Sequence, residues 1–377
     1  MTNQLINKDY LIFKPGDVDL RYSPLRGNPE LNTYVLGAFN PGFCRLPNGN
    51  LLMMVRIAEA LKEPFYNGKI QSIRWDKKKG YVTDAWPMDL LEIDDVRKFR
   101  LKEYDFPVYV LTSLSWLLPV ELTPDAASVY HIHYDKIICP VSTSQEYGIE
   151  DARISFLEGR YLMTVCAVSS ERHATMLYES KDGLNFEQQG IVLDHQNKDM
   201  LLFEGKVGNH YYALTRPLGE CYFGTAPNSP WHPGAAIHLA SSIDLMHWKP
   251  YDRAFLRAGK SSMNNVKIGG GTPPLLTNKG WLILFHGVEK KGPVGIYRTY
   301  WAILDKKDPS KILELHDDQP LLEANSALTD DIQHQMYISD VVFTTGIAES
   351  EEEYILASGE ADLACRITMV PKSIFNS

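Results

Sequence analysis

Short apolar runs punctuated by turn residues dominate this chain, and a sustained 3.6-residue period is scarce, so strands are expected rather than helices. Five units of turn followed by strand stand out. Pro47-Asn48-Gly49-Asn50 leads into residues 51–57, Glu158-Gly159 into 160–168, and Gly208-Asn209 into 210–216. Asn278-Lys279-Gly280 leads into 281–286, and Glu351-Glu352-Glu353 into 354–358. A second repeat overlays the first. Ser180-Lys181-Asp182-Gly183-Leu184-Asn185-Phe186 and Ser242-Ile243-Asp244-Leu245-Met246-His247-Trp248 share the pattern Ser-x-Asp-x-x-x-aromatic. In such a turn the Asp accepts backbone N–H bonds while the aromatic re-enters the core. Repeated sheet units without long helices predict an all-β, five-bladed β-propeller in preference to a sandwich. Residues 57–139 are less regular: 94–104 read as a short charged helix or a loop, and 106–125 as an elaborated connection. With no clear linker and no low-complexity tail, a single domain spanning residues 1–377 is expected.

Composition narrows the function classes. With 44% hydrophobic and 23% charged residues the chain can bury a substantial core. A net charge of −9 argues against a nucleic-acid or anionic-membrane binder. The lone basic run, Lys77-Lys78-Lys79, reads as a solvated turn. Cys44, Cys139, Cys166, Cys221 and Cys365 are scattered, odd in number and never spaced as a metal or redox pair. They fit a reducing compartment. The first ten residues lack the apolar core of a secretory signal, and no apolar stretch approaches bilayer-spanning length, so a soluble cytoplasmic protein is expected.

Several strands end in a group that can do chemistry. Gly148-Ile149-Glu150-Asp151-Ala152-Arg153 packs two carboxylates and a guanidinium into the start of a strand. The plain reading is a structural ion pair; the functional one is a general acid. Arg56, Arg216 and His286 each close an apolar strand that follows a Gly-containing turn. Arg216 precedes Pro217, which holds it extended and suits aiming a guanidinium fork at an oxyanion. Lys267-Ile268-Gly269-Gly270-Gly271 reads as a tight turn or as a backbone-lined cradle for an anion, with Lys267 adding a point charge. Asn197-Lys198-Asp199 precedes another apolar run, and Gly359-Glu360-Ala361-Asp362 closes the last unit with two more carboxylates. Together these suit a neutral polyol such as a sugar beside an anion such as phosphate. No spacing suggests zinc or an EF-hand, and no nucleophile elbow is present.

These motifs, in this order, are similar to glycoside hydrolase family 130, the β-mannoside phosphorylases and β-mannosidases on a five-bladed propeller. The resemblance runs from Ala38-Phe39-Asn40 and Val55-Arg56-Ile57 through Tyr147-Gly148-Ile149-Glu150-Asp151-Ala152-Arg153 to Thr215-Arg216-Pro217. It continues through Lys267-Ile268-Gly269-Gly270-Gly271 and Leu284-Phe285-His286-Gly287 to Ala361-Asp362. It implies that Asp151 is the general acid, protonating the glycosidic oxygen through the mannosyl 3-hydroxyl. Asn40, Arg56 and Asp362, with Glu150 and Arg153 beside the acid, are implied to hold the mannosyl ring. Lys198, Arg216, Lys267, His286 and Tyr297 are implied to hold phosphate, with Lys198 standing where some phosphorylases carry Arg.

Ala152 replaces a usual Pro, while Glu204 and Glu360 add carboxylate where the family has Pro or a small residue. The activity implied is phosphorolysis of a β-linked manno-oligosaccharide to α-mannose 1-phosphate, with no cofactor and with inorganic phosphate as co-substrate. The alternative is an inverting β-mannosidase, acting on β-1,2-linked mannosides, with Glu204 as the base for water. Such a base would stand roughly 6.5–9.5 Å from the acid. A non-catalytic sugar-binding propeller is a third reading, disfavoured by Asp151. The expected partners are a small oligosaccharide and further copies of the chain in a homo-oligomer, not nucleic acid or membrane.

Overall fold

The computed structural model describes residues 6–375 apart from 96, 194, 220, 221 and 261. Cys221 and residues 1–5, which entered the reading above, lie outside the described residues. The protein is all-β: among the described residues the helical turns are short and of the 3-10 type.

Strand β1 (Lys8–Phe13) is followed by β2 (Thr33–Arg45) and β3 (Leu51–Leu61). Next come two three-stranded sheets, β4–β6 (Phe65–Tyr66, Lys69–Asp76, Gly80–Pro87) and β7–β9 (Leu91–Asp95, Lys98–Leu101, Tyr109–Leu111). Then β10 (Ser113–Leu122) pairs with β3, and β11 (Val129–Ile132) pairs with β10. The next antiparallel groups are β12–β15 (Gly148–Leu157, Arg160–Val168, His173–Ser180, Glu187–Ile191) and β16–β19 (Asn197–Leu202, Tyr211–Pro217, Ile237–Ser242, Lys249–Leu256). A further group holds β20–β24 (Lys267–Gly270, Leu275–Leu276, Trp281–Glu289, Ile296–Leu304, Ile312–His316). Finally β25–β27 (Val342–Glu349, Glu353–Glu360, Ala364–Pro371) take β1 as an edge strand alongside β27. A single parallel pair, Ser115 with Gly148, joins the β2/β3/β10 group to β12–β15.

The five turn-then-strand units fall on β3, β13, β17, β22 and β26. Two expectations need correction. Residues 94–104 are neither helix nor loop but mostly the β7/β8 hairpin, and 106–125 contain β10, ten residues long and almost wholly buried. Pro119 and Ser115 lie within a strand whose neighbours bury both of its faces.

That two-sided burial explains why the strands are continuously apolar. In β22, Trp281, Ile283 and Phe285 pack toward β16–β19, while Leu282 and Leu284 pack toward β25–β27. Likewise Leu51, Met53 and Val55 of β3 face the β1/β25–β27 sheet, and Leu52 and Met54 face β12–β14. Successive side chains of a strand point to opposite faces, so a strand between two sheets has no solvent face to leave polar. Each buried Leu or Phe contributes roughly 1.5–3 kcal/mol. The polar residues are thereby driven to strand ends and irregularities.

The Ser-x-Asp turns close as expected. Asp182 Oδ1 accepts the N–H groups of Leu184 and Asn185 at 2.9 and 2.8 Å, and Asp244 Oδ1 those of Met246 and His247 at 2.9 and 2.8 Å. Asp182→Ala leaves these N–H groups to water and should lower the unfolding free energy by about 1 kcal/mol, the carboxylate being largely solvated. A lower urea midpoint with an unchanged slope would register this.

Candidate active site

Three strands carry the same distortion at the same end. In β2, Asn40 and Pro41 oppose Val55 alone; in β12, Asp151 and Ala152 oppose Val165 alone; in β16, Asp199 and Met200 oppose Thr215 alone. Each is a bulge of two residues against one, which bends the strand and re-aims a side chain. The first bulge residue is left-handed every time, with φ of 47° at Asn40 and 53° at both Asp151 and Asp199. Asn and Asp tolerate this region best among residues with a side chain. Ala361 and Asp362, in the turn from β26 to β27, are left-handed too, at φ 56° and 47°.

The re-aimed side chains converge into two linked ionic networks. In the first, Arg56 donates from Nη1 to Asp151 Oδ1 at 3.0 Å, from Nη2 to Glu150 Oε1 at 2.8 Å, and from Nε to Ser115 Oγ at 2.9 Å. Lys198 Nζ donates to Glu150 Oε2 at 2.8 Å, and Asn40 Nδ2 to Asp151 Oδ1 at 2.9 Å. In the second, Asp199 accepts from Arg216 Nε at 2.6 Å and faces Arg153 at 3.5 Å and His286 at 3.9 Å. Arg153 ties the two together, donating to the carbonyls of Asp151 at 2.7 Å and Gly271 at 2.6 Å.

Electrostatics sort these groups. Burial alone would raise the Asp151 carboxyl, but Arg56, Lys198 and Arg153 outweigh it and hold the acid well below the usual carboxylate range. Glu150 and Asp199 are lowered in the same way, against burial, by Arg56 and Lys198 and by Arg216 and Arg153 respectively. Asp362 goes the other way: burial raises it, and Arg97 and Arg56 only partly offset this. His286 is pushed down to about 3 by burial, against the pull of Asp199 and with Arg216, Lys267 and Arg153 adding to the shift, so its imidazole is neutral at ordinary pH. Neither ring nitrogen of His286 has a hydrogen-bond partner among the described residues. The ring lies between Tyr297 and Phe343, at 5.8 and 4.7 Å. Lys267 Nζ sits 5.1 Å from the Tyr297 ring centre and pairs with no carboxylate among the described residues.

Of the residues singled out in the sequence, Asn40, Arg56, Glu150, Asp151, Arg153, Lys198, Arg216, Lys267, His286, Tyr297 and Asp362 come together. Glu204 does not. It follows β16, whose other end carries Asp199, and its Oε1 accepts the Phe156 N–H at 3.0 Å. Phe156 lies five residues beyond Asp151 on β12, roughly 16 Å along an extended strand. Glu204 is therefore not placed to activate water against Asp151. Glu360 is also committed elsewhere, to Arg366 Nη1 and the Asn325 N–H at 2.8 and 2.7 Å.

The glycines after Lys267 are not a cradle. Gly269 and Gly270 are ladder residues opposite His286 and Phe285. A Cβ on Gly269 would come within 2.4 Å of His286 Cε1 and 2.7 Å of Asp199 Oδ2, so its role is clearance. Arg97, absent from the sequence reading, reaches the cluster from the β7/β8 hairpin. Its Nη1 lies 3.5 Å from Asp362 Oδ2, and Asp95 holds its Nε and Nη2 at 3.0 and 2.9 Å. The run Asp94-Asp95-x-Arg97-Lys98 was the available signal, but nothing in it says which sheet it meets.

Residues 120–377 match the profile of glycoside hydrolase family 130, described as beta-1,4-mannooligosaccharide phosphorylase. A beta-1,2-mannobiose phosphorylase of Listeria innocua is 30% identical over 343 residues, 87% of either chain. A 1,2-beta-oligomannan phosphorylase of Thermoanaerobacter is 28% identical over 63% of this chain and 73% of its own. The solved beta-1,2-mannobiose complex of the Listeria innocua phosphorylase superposes with a TM-score of 0.81 at 27% identity, covering 98% of both chains. A putative glycosidase of Bacteroides thetaiotaomicron, 16% identical, shares the fold with a TM-score of 0.65 over 96% of this chain and 97% of its own.

Glu204 gives this geometry a pH test. Burial lifts its carboxyl from 4.5 to about 7, with Glu349 adding and the Phe156 N–H opposing. A folded pKa above the unfolded one means that the stability it contributes is intact below about 4.5 and lost as pH rises through about 7. Glu204→Gln cannot ionise. It should therefore match wild type near pH 4.5 and exceed it at pH 8 by up to about 3 kcal/mol in chemical denaturation. Turnover at its optimum should persist. Loss of turnover comparable to an Asp151 substitution would return Glu204 to the catalytic centre.

Proposed function

Since the chain belongs to glycoside hydrolase family 130, we propose that the ionic cluster is the active site of an inverting β-mannoside phosphorylase. The enzyme cleaves a β-linked manno-oligosaccharide with inorganic phosphate and releases α-mannose 1-phosphate. Asp151 is the general acid. Asn40, Arg56, Glu150, Arg153 and Asp362 position the mannosyl unit, and Lys198, Arg216, Lys267, His286 and Tyr297 receive the anion. The observation that carries this reading is the grouping of Lys267, Arg216 and a neutral His286 with open ring nitrogens next to the Asp151 network, with Glu204 set apart from it.

The charges suggest how the acid acquires its proton. With Arg56, Lys198 and Arg153 around it, Asp151 stays ionised in the free protein. A phosphate anion arriving beside Lys198 and Arg216 offsets that positive field and raises the affinity of Asp151 for a proton. Glycosidic oxygen and anion are thus served by one balance: the co-substrate that attacks also prepares the acid. Prearranged cations need no reorganisation as charge shifts, the main source of such stabilisation.

We also read the sheets as five blades of a single-domain propeller. In support, five apolar clusters each lie between two successive groups, and the cluster holding Phe13, Val55 and Ile367 joins the last group to the first. A cytoplasmic setting fits the four unpaired thiols Cys44, Cys139, Cys166 and Cys365. The chain is expected to work as a homo-oligomer, as the family resemblance suggests.

The family also includes hydrolases. For hydrolysis the candidate base is Asp362, the one cluster carboxylate whose net shift is upward, because Arg97 and Arg56 do not fully offset its burial. Incubation with β-1,2- and β-1,4-mannobiose, with and without phosphate, separates the two. Mannose 1-phosphate formed only with phosphate is expected; free mannose at equal rates in both would overturn phosphorolysis. Asp151→Asn should lower kcat by about three orders of magnitude or more while mannobiose still binds. Lys267→Ala should raise the KM for phosphate at least tenfold, about 1.4 kcal/mol, with a smaller change in the KM for mannobiose.

A further inference from the structure

A cleft of about 410 Å3 opens where β17 ends and β18 begins, with Leu218, Tyr222, Phe223, Trp231, His238 and Arg257 among its walls. Its aromatic rings do not belong to the core. Phe223 is 88% exposed, Tyr222 50% and Trp231 45%. Exposing one such ring forgoes roughly 2–3 kcal/mol of burial, so three around one opening mark a binding surface.

The polar groups narrow the ligand. Burial, together with Arg257, lowers the His238 imidazole from its ordinary value, and Arg257 pairs with no carboxylate among the described residues. A pyranose presents apolar C–H faces for stacking and a rim of hydroxyls for an Arg fork or an imidazole. Flat exposed rings beside a few convergent donors match that combination.

The wall of the cleft adjoins the active-site strand β17 along the chain. Pro217, on its wall, follows Arg216, whose guanidinium is fixed on Asp199 at 2.6 Å. The Leu218 N–H donates to the Gln196 carbonyl at 2.9 Å, just before Asn197 and Lys198. From Arg216 to Leu218 is two extended residues, roughly 7 Å. The rim is also braced. Thr225 Oγ1 and the Trp231 N–H are engaged at 3.2 Å, by the Trp231 carbonyl and Ser229 Oγ respectively, and Trp231 bridges to Gly259. Bracing of this kind spares the ordering cost of binding.

We propose that this cleft binds the sugar units of a manno-oligosaccharide beyond the unit that departs at Asp151, with Phe223 and Trp231 stacking on them and Arg257 and His238 bonding their hydroxyls. The direction of the chain rests on the phosphorylase reading; the ligand class rests on the cleft.

Calorimetric titration without phosphate tests it independently of turnover. Mannobiose and mannotetraose of both β-1,2 and β-1,4 linkage would be titrated into wild type, Phe223→Ala and Arg257→Ala. In one linkage series wild type should bind tetraose at least tenfold more tightly than biose, and each variant should reduce that ratio to about two. Equal affinities in wild type, or a ratio unchanged in both variants, would overturn the assignment. If the ratio behaves as stated but no mannoside is turned over, the cleft stands and the catalytic reading fails. If mannobiose is phosphorolysed while the ratio is insensitive to both variants, the cleft alone fails. A dimer that Phe223→Ala dissociates, with oligosaccharide affinity unchanged, would assign the rings to a second copy and overturn the proposal.

Discussion

One extra residue in an otherwise alternating strand is the constraint on which this site depends. Strands packed between two sheets have no polar face, and regular β12 or β16 would have nowhere to display a carboxylate except at its tip. The bulges at Asn40, Asp151 and Asp199 solve this inside the strand, three times with the same count of two residues against one. Left-handed φ at each turns the side chain out of the apolar alternation toward its counterparts. Asn and Asp adopt this conformation with little strain, so the chemistry the site needs and the backbone the bulge needs are met by the same residues.

Bringing charges together under cover would be unfavourable without near-complete pairing. Breaking one buried pair typically costs about 3–5 kcal/mol because the partner is stranded. Here Glu150 is shared by Arg56 and Lys198, and Asp199 by Arg216 and Arg153. The two groups outside this pairing are informative. Lys267 has no carboxylate among the described residues, and His286 has unbonded nitrogens beside three cations. Positive charge in excess next to a neutral donor is poor design for stability and good design for receiving an anion.

Much of this was legible in the sequence. Gly- and Asn-containing turns followed by apolar runs located β3, β13, β17, β22 and β26 because local turn chemistry and two-sided burial agree there. The acid cluster stood out because charges abutting an apolar hairpin need a reason. The readings that failed did so where tertiary packing decides. β10 carries Ser115 and Pro119 in a strand because neighbouring sheets bury both faces. Glu204, singled out as a departure from the family pattern, follows β16 and is held by the Phe156 N–H instead. Gly269 looked like an anion loop, whereas the space it vacates is needed by His286 and Asp199. Arg97 went unseen because its partner Asp362 lies 265 residues away.

Placing the functional groups at bulges and strand ends also explains why substrate range can vary without disturbing catalysis. The ionic networks are fixed by pairing within the innermost strands. Under the proposed function, the surfaces that would meet the rest of an oligosaccharide are the β7/β8 hairpin bearing Arg97 and the segment between β17 and β18. Loops that pack on a rigid scaffold can change length and composition at small energetic cost, whereas a change at Asp151 or Asp199 strands a buried charge. Under the proposed function, linkage and chain-length preference would lie in those two surfaces, and the choice between phosphate and water in the cations facing Asp199. The two properties are separable because they reside in parts of the fold held by different forces: exposed aromatic contact in one, buried charge pairing in the other.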